Sequence, residues 1–289
     1  MKSAPTLFAV MGPTASGKSF VAESLARAQD ALIVNADAFQ IYRGMDIGTA
    51  KPIDRTNYRL LDIRSPDEEF GVGEYVQLAA ELLQKQYARG RSVVLCGGTG
   101  LYIRALVEQY TGLMPAPPPG LRESLAAISL AEAVEKLTAI APNTAEKVDL
   151  QNEIRVKRSL ERELSNQTPI QFSLPPFQVK KIGIIPSAEL SQEKIRQRTE
   201  EMFQNGWVSE VKVLLDNGYG PGNPGFRALG YEAITAYIQD NGNEEVLVER
   251  IMSDTVQYAK RQRTWLRAEP NLVVFNDASD ALDAVEHLD

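Results

Sequence analysis

The segment GPTASGKS at residues 12–19 contains the residue types that most directly indicate chemistry. It matches Gly-x-x-x-x-Gly-Lys-Ser/Thr and stands between an apolar run and a helical pattern, the context that a phosphate-binding loop requires. Backbone N–H groups, the Lys ammonium and the Ser hydroxyl of such a loop bind phosphate and Mg²⁺. The motif leaves open whether the phosphate belongs to a nucleotide or to another molecule. The predicted binding residues are Gly12, Pro13, Thr14, Ala15, Ser16, Gly17, Lys18 and Ser19, with Ser19 as the metal ligand.

Three further polar residues follow apolar runs or lie in glycine-rich loops. Asp37 could act as a general base or hold Mg²⁺ through water. From its spacing alone, Asp37 could equally be a structural residue that caps a helix or turn. Thr99 in GGTG could direct its hydroxyl at a phosphate or nucleophile, or serve as a helix N-cap. Arg227 in PGFRALGY could grip a phosphate, although a solvated surface arginine is the commoner case. Spacing alone decides none of the three.

The elements that must position these residues alternate between strand and helix. Helical patterns at 17–29, 74–89 and 99–109 separate the apolar runs, which predicts an α/β fold with a parallel sheet and helices on both faces. Open sheets of this kind bind ligands at the carboxyl ends of the strands, where Asp37 and Thr99 are expected. The predicted strands are 6–12, 31–36, 59–63, 92–98, 181–186 and 271–276.

The pattern changes at the proline-rich segment PAPPPG, residues 115–120. From residue 121 to about 164 only helical periodicity is present, and another loop follows at 166–177. We therefore expect an all-helical insertion domain at 115–177 within an α/β core formed by 1–114 and 178–289. A basic helix is predicted at 244–267.

Composition excludes several classes of protein. Cys96 and His287 are the only cysteine and histidine, which excludes a Cys/His zinc site, makes a Ser–His–Asp triad implausible and fits a reducing, cytoplasmic setting. No apolar run reaches the ~18–20 residues of a membrane span, and the N-terminus does not read as a signal peptide. The net charge of −7 argues only weakly against nucleic acid, since RVKR and AKRQRTWLR are locally basic.

Five segments in one order resemble the tRNA dimethylallyltransferases, also called tRNA isopentenyltransferases. They are GPTASGKS, DAFQIYRGMDIGTAKP, GGTGLY, RALGY and AKRQRTWLR, and the resemblance runs from about residue 7 to 267. The resemblance implies a P-loop NTPase-like fold. It also implies transfer of a dimethylallyl group from dimethylallyl diphosphate to N6 of the adenine 3′-adjacent to the anticodon, in tRNAs reading codons that begin with U.

The resemblance also assigns roles to matching residues. Asp37 would be the general base, Thr99 would hydrogen-bond near the base and the bridging oxygen, and Arg227 would steady the leaving diphosphate. Lys18 and the loop amides would hold that diphosphate, with Mg²⁺ at Ser19. The residues implied to face tRNA are Asp37, Ala38, Phe39, Gln40, Thr99, Arg122, Arg155 and Arg158.

The implied partners are dimethylallyl diphosphate and the anticodon stem-loop of tRNA, which the insertion would grip; we expect a monomer with no membrane or protein partner. Two departures stand out: DLQN at 149–152 replaces the H-P-N-D of several members, and Ala38 stands where serine is frequent. An adenylate prenyltransferase, a P-loop kinase of small molecules and a non-catalytic RNA-binding protein remain the alternatives.

Overall fold

The computed structural model describes residues 4–118, 120–240 and 242–285. Pro119 of the predicted proline-rich hinge and His287 lie outside the described residues. The six strands form one parallel sheet in the order β3-β2-β4-β1-β5-β6, which confirms the predicted α/β class. The strands are β1 (Thr6–Met11), β2 (Leu32–Asn35), β3 (Tyr58–Arg59), β4 (Val93–Gly97), β5 (Gln178–Ile184) and β6 (Leu272–Phe275).

One predicted strand is wrong in extent. The apolar run 59–63 predicted a full strand, but β3 contains two residues. Leu60 and Asp62 adopt the left-handed region with φ of 64° and 55°, which an extended strand does not allow. The side-chain amide of Asn35 donates to the Leu60 carbonyl, 3.1 Å away, and holds this turn at the sheet edge.

Helices connect the strands and agree with the helical patterns in the sequence. They are α1 (Lys18–Ala28), α2 (Val72–Ala88), α3 (Gly100–Val107), α4 (Leu121–Ala126), α5 (Leu130–Ile140), α6 (Pro142–Ala145), α7 (Glu153–Ser165), α8 (Ala188–Gln204), α9 (Trp207–Asp216), α10 (Tyr231–Asp240), α11 (Glu244–Arg267) and α12 (Ala278–Val285), with a 3-10 turn at Pro224–Arg227.

Both faces of the sheet are covered. Phe8 and Val10 of β1 pack in one apolar cluster with residues of α1 and α12. Leu7 and Ala9, whose side chains alternate to the opposite face, are fully buried as well. The central strand is therefore apolar and buried from Leu7 to Met11, as is typical of a parallel sheet between two helical layers.

The strand order brings three loops together at one edge. β1 lies between β4 and β5, and β2 lies beside β4. The loops that follow β1, β4 and β2 carry the phosphate-loop motif, Thr99 and Asp37 in that order. Carboxyl ends of parallel strands share an edge, so the topology alone makes these loops neighbours.

The chain forms two compact units. The first comprises Met1–Phe70, Leu78–Gln109 and Ser173–Asp289, and the second comprises Gly71–Gln77 and Tyr110–Phe172. The second unit has its own apolar core, built from α4 to α7 around buried Ala133, Leu137 and Val156. The predicted division into an insertion at 115–177 and a core of 1–114 and 178–289 stays a prediction. In the described ranges, no helix combines the length and apolarity that crossing a membrane requires.

Candidate active site

The phosphate-loop motif forms a tight turn between β1 and α1. Ala15 and Gly17 have positive φ values of 60° and 89°, and Gly17 occupies the N-cap position of α1. A side chain at Gly12 would place its Cβ 2.3 Å from Ser16 Oγ and 2.9 Å from the Ile184 carbonyl oxygen, so glycine is required there. The Ser16 hydroxyl is buried and has no hydrogen-bond partner in the described part of the chain.

Lys18 projects from the first turn of α1 into the same region. Its Nζ donates to the Pro13 carbonyl at 3.4 Å, a long bond that leaves donor capacity for an anion. Burial lowers the pKa of the Lys18 ammonium, with Cys96 and Asp37 acting in the opposite direction. An anionic ligand beside this ammonium would favour its charged form.

Asp37 and Thr99 are brought together by backbone hydrogen bonds. The Thr99 hydroxyl accepts from the Ala38 N–H at 3.0 Å, and the Thr99 N–H donates to the Ala36 carbonyl at 3.2 Å. Thr99 occupies the N-cap position of α3, but its hydroxyl makes no capping bond and serves the Asp37 segment instead. Asp37 Oδ1 accepts from the Phe39 N–H at 2.9 Å, which fixes the direction of the carboxylate.

A cavity of about 340 Å³ opens at this edge of the sheet, within the first unit. Lys18, Ser19 and Asp37 line one part of it, and helices α8 and α11 supply much of the remaining wall. Among the described residues, the lining includes Phe39, Gln40 and Arg227 but not Thr99. The apolar part of the wall is formed by Ile195, Met202, Trp207, Leu229 and Ile251.

A second pocket, of about 610 Å³, also borders the phosphate loop. It is lined by Ala15 to Ser19 and shares Lys18, Ser19 and Arg198 with the first cavity. Lys18, Ser19 and Arg198 therefore border both spaces.

Arg198 is a site residue that sequence reasoning missed. Its guanidinium makes no hydrogen bond or ion pair within the part of the chain that the structure describes. Burial lowers the pKa of this guanidinium, while Asp37 and Glu201 oppose that shift. A partly buried arginine with no such partner is available to bind an anion, and Arg198 lines both pockets together with Lys18.

A signal for Arg198 was present in the sequence. It lies on the stripe of α8 that includes buried Ser191, Ile195, Thr199 and Met202, at helical spacing. An arginine on the buried face of an amphipathic helix is unusual and points to a ligand or an ion pair. Arg198 was not recognised because it lies among the charged residues of KIRQRTEE, each of which is compatible with a solvent-exposed position.

Arg227 ends the 3-10 turn and has an exposed side chain at the rim of the cavity. Its Nη2 lies 3.4 Å from Glu69 Oε1, a distant ion pair in a solvated setting. The structure thus separates two arginines that a phosphate could use, with Arg198 inside and Arg227 at the entrance.

The segment Asp46–Lys51 forms a wall between the two pockets and is held from several sides. The carboxylate of Glu210 on α9 accepts from the N–H groups of Asp46, Ile47 and Gly48, at 2.7, 2.6 and 3.2 Å. It also accepts from the Tyr231 hydroxyl at 2.7 Å. Sequence reasoning did not single out Glu210, because a glutamate on a helix is most often a surface residue.

The opposite end of this segment is held by side-chain donors. The Gln40 amide donates to the carbonyls of Thr49 and Ala50 at 3.0 and 3.1 Å. The Lys51 ammonium is fully buried and pairs with Asp46 at 2.9 Å and with Asp62. The wall is therefore rigid before any ligand binds, which favours a precisely shaped site.

The predicted tRNA-facing arginines of the second unit differ in their surroundings. Arg122 pairs with Glu161 through Nε and Nη2, at 2.9 and 3.0 Å, and Arg158 reaches the same carboxylate. Arg155 is exposed, and its side chain makes no bond to another described residue. Only Arg155 of the three therefore has an uncommitted guanidinium within the described ranges.

The chain resembles known proteins along most of its length. A family model described as IPP transferase matches residues 40–269. The tRNA dimethylallyltransferase of Geobacter sulfurreducens is 35% identical over 91% of this chain and 89% of its own length. That of Acaryochloris marina is 37% identical over 97% of this chain and 96% of its own length.

Two solved structures have the same fold. The tRNA isopentenylpyrophosphate transferase of Bacillus halodurans superposes with a TM-score of 0.71 at 29% identity, covering 97% of this chain and 94% of that one. A eukaryotic dimethylallyltransferase, solved acting on tRNA, gives a TM-score of 0.75 at 20% identity, covering 96% of this chain and 74% of that one. At that identity the second likeness shows the fold alone.

Proposed function

The chain belongs to the IPP transferase family, and we propose that it transfers a dimethylallyl group from dimethylallyl diphosphate to tRNA. The acceptor is N6 of the adenine 3′-adjacent to the anticodon, in tRNAs that read codons beginning with U. The observation that carries this proposal is that one cavity is lined by Lys18, Arg198 and Asp37 together with an apolar wall. Such a space can seat an anionic leaving group, a hydrocarbon and a proton acceptor together.

The cations of the site act on the leaving group. The bond between C1 of the dimethylallyl group and the bridging oxygen breaks, and negative charge develops on the diphosphate. Lys18, Arg198 and residues of the phosphate loop line the space where that charge develops, so their donors can stabilise it with little reorganisation. Arg227, at the rim, would steady the diphosphate as it leaves. The released diphosphate carries the electron pair of the broken bond.

Asp37 acts on the nucleophile. The adenine N6 amine forms the new bond to C1 and loses one proton, which the Asp37 carboxylate accepts. The Thr99 hydroxyl already accepts a bond from the Ala38 N–H, so its own proton is free to be donated to the base or to the bridging oxygen. Its second role is to hold the Asp37 segment in place.

The target base must leave its stack to reach this cavity. Phe39 and Tyr258 line the cavity and present aromatic rings to a flipped purine. The dimethylallyl group would occupy the apolar wall formed by α8 and α11. An anticodon loop is single-stranded and gives up stacking more easily than a duplex does.

Mg²⁺ fits this site as a phosphate-bound ion. In the described residues no group of three or more His, Cys, Asp or Glu side chains could hold a metal. Ser19 nevertheless offers a hard oxygen donor to the cavity, and Mg²⁺ commonly binds through one or two protein oxygens together with substrate phosphates. When bound, it would neutralise charge on the diphosphate.

We propose that the second unit binds the anticodon stem-loop. Arg155 and Arg158 project from α7 with exposed side chains, and Arg122 lies on α4. Each phosphate contact would contribute electrostatic affinity that weakens with salt. No protein partner or membrane is needed for this function, and the cytoplasm is the compartment we propose.

The test is a transfer assay with purified protein, Mg²⁺ and labelled dimethylallyl diphosphate. The acceptor is an anticodon stem-loop with adenine 3′ of the anticodon, and the matched control stem-loop has guanine at that position. We expect label on the first RNA only, at N6. Absence of label on any adenine stem-loop would refute the proposal. Preference for free AMP would identify an adenylate prenyltransferase, and specific ATP cleavage would identify a kinase.

Asp37→Asn provides the residue-level test. It retains the shape of the side chain but removes the proton acceptor, so turnover should fall by about 10²–10⁴-fold. Affinity for the stem-loop should change little, as measured by filter binding. Full turnover in this variant would show that Asp37 is not the base.

A further inference from the structure

We infer that Gln262 is a positioning residue that sets the separation between the phosphate loop and the segment carrying Thr99 and Asp37. The inference rests on the proposed transfer reaction, in which those two parts hold the leaving group and the proton acceptor. Gln262 lies within the AKRQRTWLR segment, whose basic residues suggested a polyanion partner but whose glutamine had no assigned role.

The amide of Gln262 uses both of its functions on backbone groups of two different loops. Its Oε1 accepts from the Thr14 N–H at 2.9 Å, within the phosphate loop. Its Nε2 donates to the Gly98 carbonyl at 3.0 Å, in the loop that follows β4. One planar group therefore spans two neighbouring loops.

The hydrogen bonds continue from Gly98 to Asp37. Thr99, the next residue, donates to the Ala36 carbonyl and accepts from the Ala38 N–H, on both sides of Asp37. The side chain of Asn35 completes the arrangement by accepting from the Asp37 N–H at 3.1 Å. The loops after β1, β4 and β2 are thus joined in the order in which their strands lie in the sheet.

Gln262 can approach the loop after β4 closely because Gly98 has no side chain. A Cβ at Gly98 would lie 2.4 Å from Nε2 of Gln262, so any larger residue would displace the amide. Gln262 is 8% exposed, and burying an amide is costly unless its hydrogen bonds are made. An apolar side chain of similar size would fill this space but could not fix the distance between the loops.

Helix α11 has a separate anchor three residues further on. Trp265 packs against Gly100, where a Cβ would lie 2.2 Å from the indole ring, and Arg104 lies over that ring at 5.0 Å. The helix is therefore expected to keep its place when Gln262 is replaced. Loss of the amide should relax the two loops without unfolding the protein.

The experiment compares Gln262→Leu with Gln257→Leu, a control at an exposed glutamine of the same helix. Because a displacement of ~1 Å can cost ~10²-fold in rate, kcat of Q262L should fall about 30–100-fold. KM for dimethylallyl diphosphate and for the stem-loop should each change less than about threefold, and Q257L should match the wild type. An unchanged kcat, or a loss confined to KM for the stem-loop, would overturn the inference. Inactivity of the wild type would instead count against the proposed function.

Gln262→Glu gives a readout that a purely structural role would not produce. The isosteric carboxylate can still accept from the Thr14 N–H but, when ionised, repels the Gly98 carbonyl. Protonation restores a donor, so the rate of Q262E relative to wild type should rise severalfold between pH 8 and pH 5.5. If Q262E is folded and its rate relative to wild type does not change with pH, the assigned role is contradicted. Q262E is also the deciding variant if Q262L fails to fold.

Discussion

The carboxylate of Glu210 is expected to be among the most costly single groups to remove from this protein. It accepts four hydrogen bonds, three from consecutive N–H groups of Asp46–Gly48 and one from the Tyr231 hydroxyl. Oε2 accepts from the N–H groups of Asp46 and Ile47, and Oε1 accepts from the Gly48 N–H and the Tyr231 hydroxyl. The perturbations of interest are Glu210→Ala, which removes all four acceptor sites, and Glu210→Gln, which removes some of them.

The magnitude follows from this division of bonds. A hydrogen bond to a charged group contributes about 1.5–3 kcal/mol, and partial access of water keeps four such losses from adding in full. For Glu210→Ala we expect a loss of about 4 kcal/mol, at the upper end for single substitutions. In Glu210→Gln the amide oxygen can take the Oε2 position and keep Asp46 and Ile47 satisfied, so the loss should be about 2 kcal/mol.

Thermal unfolding provides the measurement. For a chain of this size, 1 kcal/mol corresponds to about 2 °C in Tm, so the alanine variant should unfold about 8 °C below wild type and the glutamine variant about 4 °C below. Glu249→Ala, at an exposed glutamate of α11, is the matched control and should stay within about 1 °C. A Glu210→Ala variant that unfolds with the control, or a glutamine variant as unstable as alanine, would refute the reasoning.

Two further predictions concern charge. Arg198→Ala should raise KM for dimethylallyl diphosphate and lower kcat, so that kcat/KM falls by about 10²-fold or more. Arg227→Ala, at the exposed rim, should lower kcat/KM by about tenfold or less. Steady-state kinetics on the two variants measure both values, and the reverse order would contradict the prediction. The pKa of Glu161 lies below its ordinary value because the hydrogen bond from Arg122 and the charge of Arg158 outweigh burial. The ionised Glu161 carboxylate therefore contributes its full stabilisation above the unfolded pKa of about 4.3, and this stabilisation is lost as pH falls through the folded pKa. The difference in Tm between wild type and Glu161→Gln should accordingly disappear between pH 6 and pH 3.

Regular elements were predictable because their patterns are long and physically unambiguous. The basic helix predicted at 244–267 has those bounds in the structure, where Asn243 caps its first turn and Ala268 follows its last residue. The central strands were predictable for the same reason, since an apolar run between turn residues is buried on both faces.

The short strand β3 shows where pattern reasoning ends. RLLDI has the composition of a strand, yet Leu60 and Asp62 are held in left-handed conformations by partners elsewhere in the chain. Those partners, Asn35 and Lys51, are 25 and 11 residues away. A tertiary hydrogen bond that overrides local preference has no signature in the local sequence.

The parts of the candidate site that belong to a sequence motif were predictable, because the motif implies the backbone geometry. Single side chains that reach the site from distant helices were harder to predict. The phosphate loop and Asp37 could be placed because they follow strands whose carboxyl ends must share an edge. Arg198, Glu210 and Gln262 act from helices late in the chain, where the sequence does not show which helical face meets which loop. The roles of Asp37, Thr99, Arg227 and the tRNA-facing residues stay predictions for the assays above.

The bond between the Thr14 N–H and Gln262 joins residues 248 positions apart, and this has a consequence for synthesis. At ~5–20 residues per second, a ribosome takes about 12–50 s to travel that distance after Thr14 has been made. The first hundred residues already contain the phosphate loop, Asp37 and Thr99, but the group that sets their spacing arrives only when α11 is almost complete. A chain that ends before residue 262 would therefore contain the phosphate loop, Asp37 and Thr99 without the amide that we propose aligns them, and we expect its transfer rate to stay low until α11 is complete.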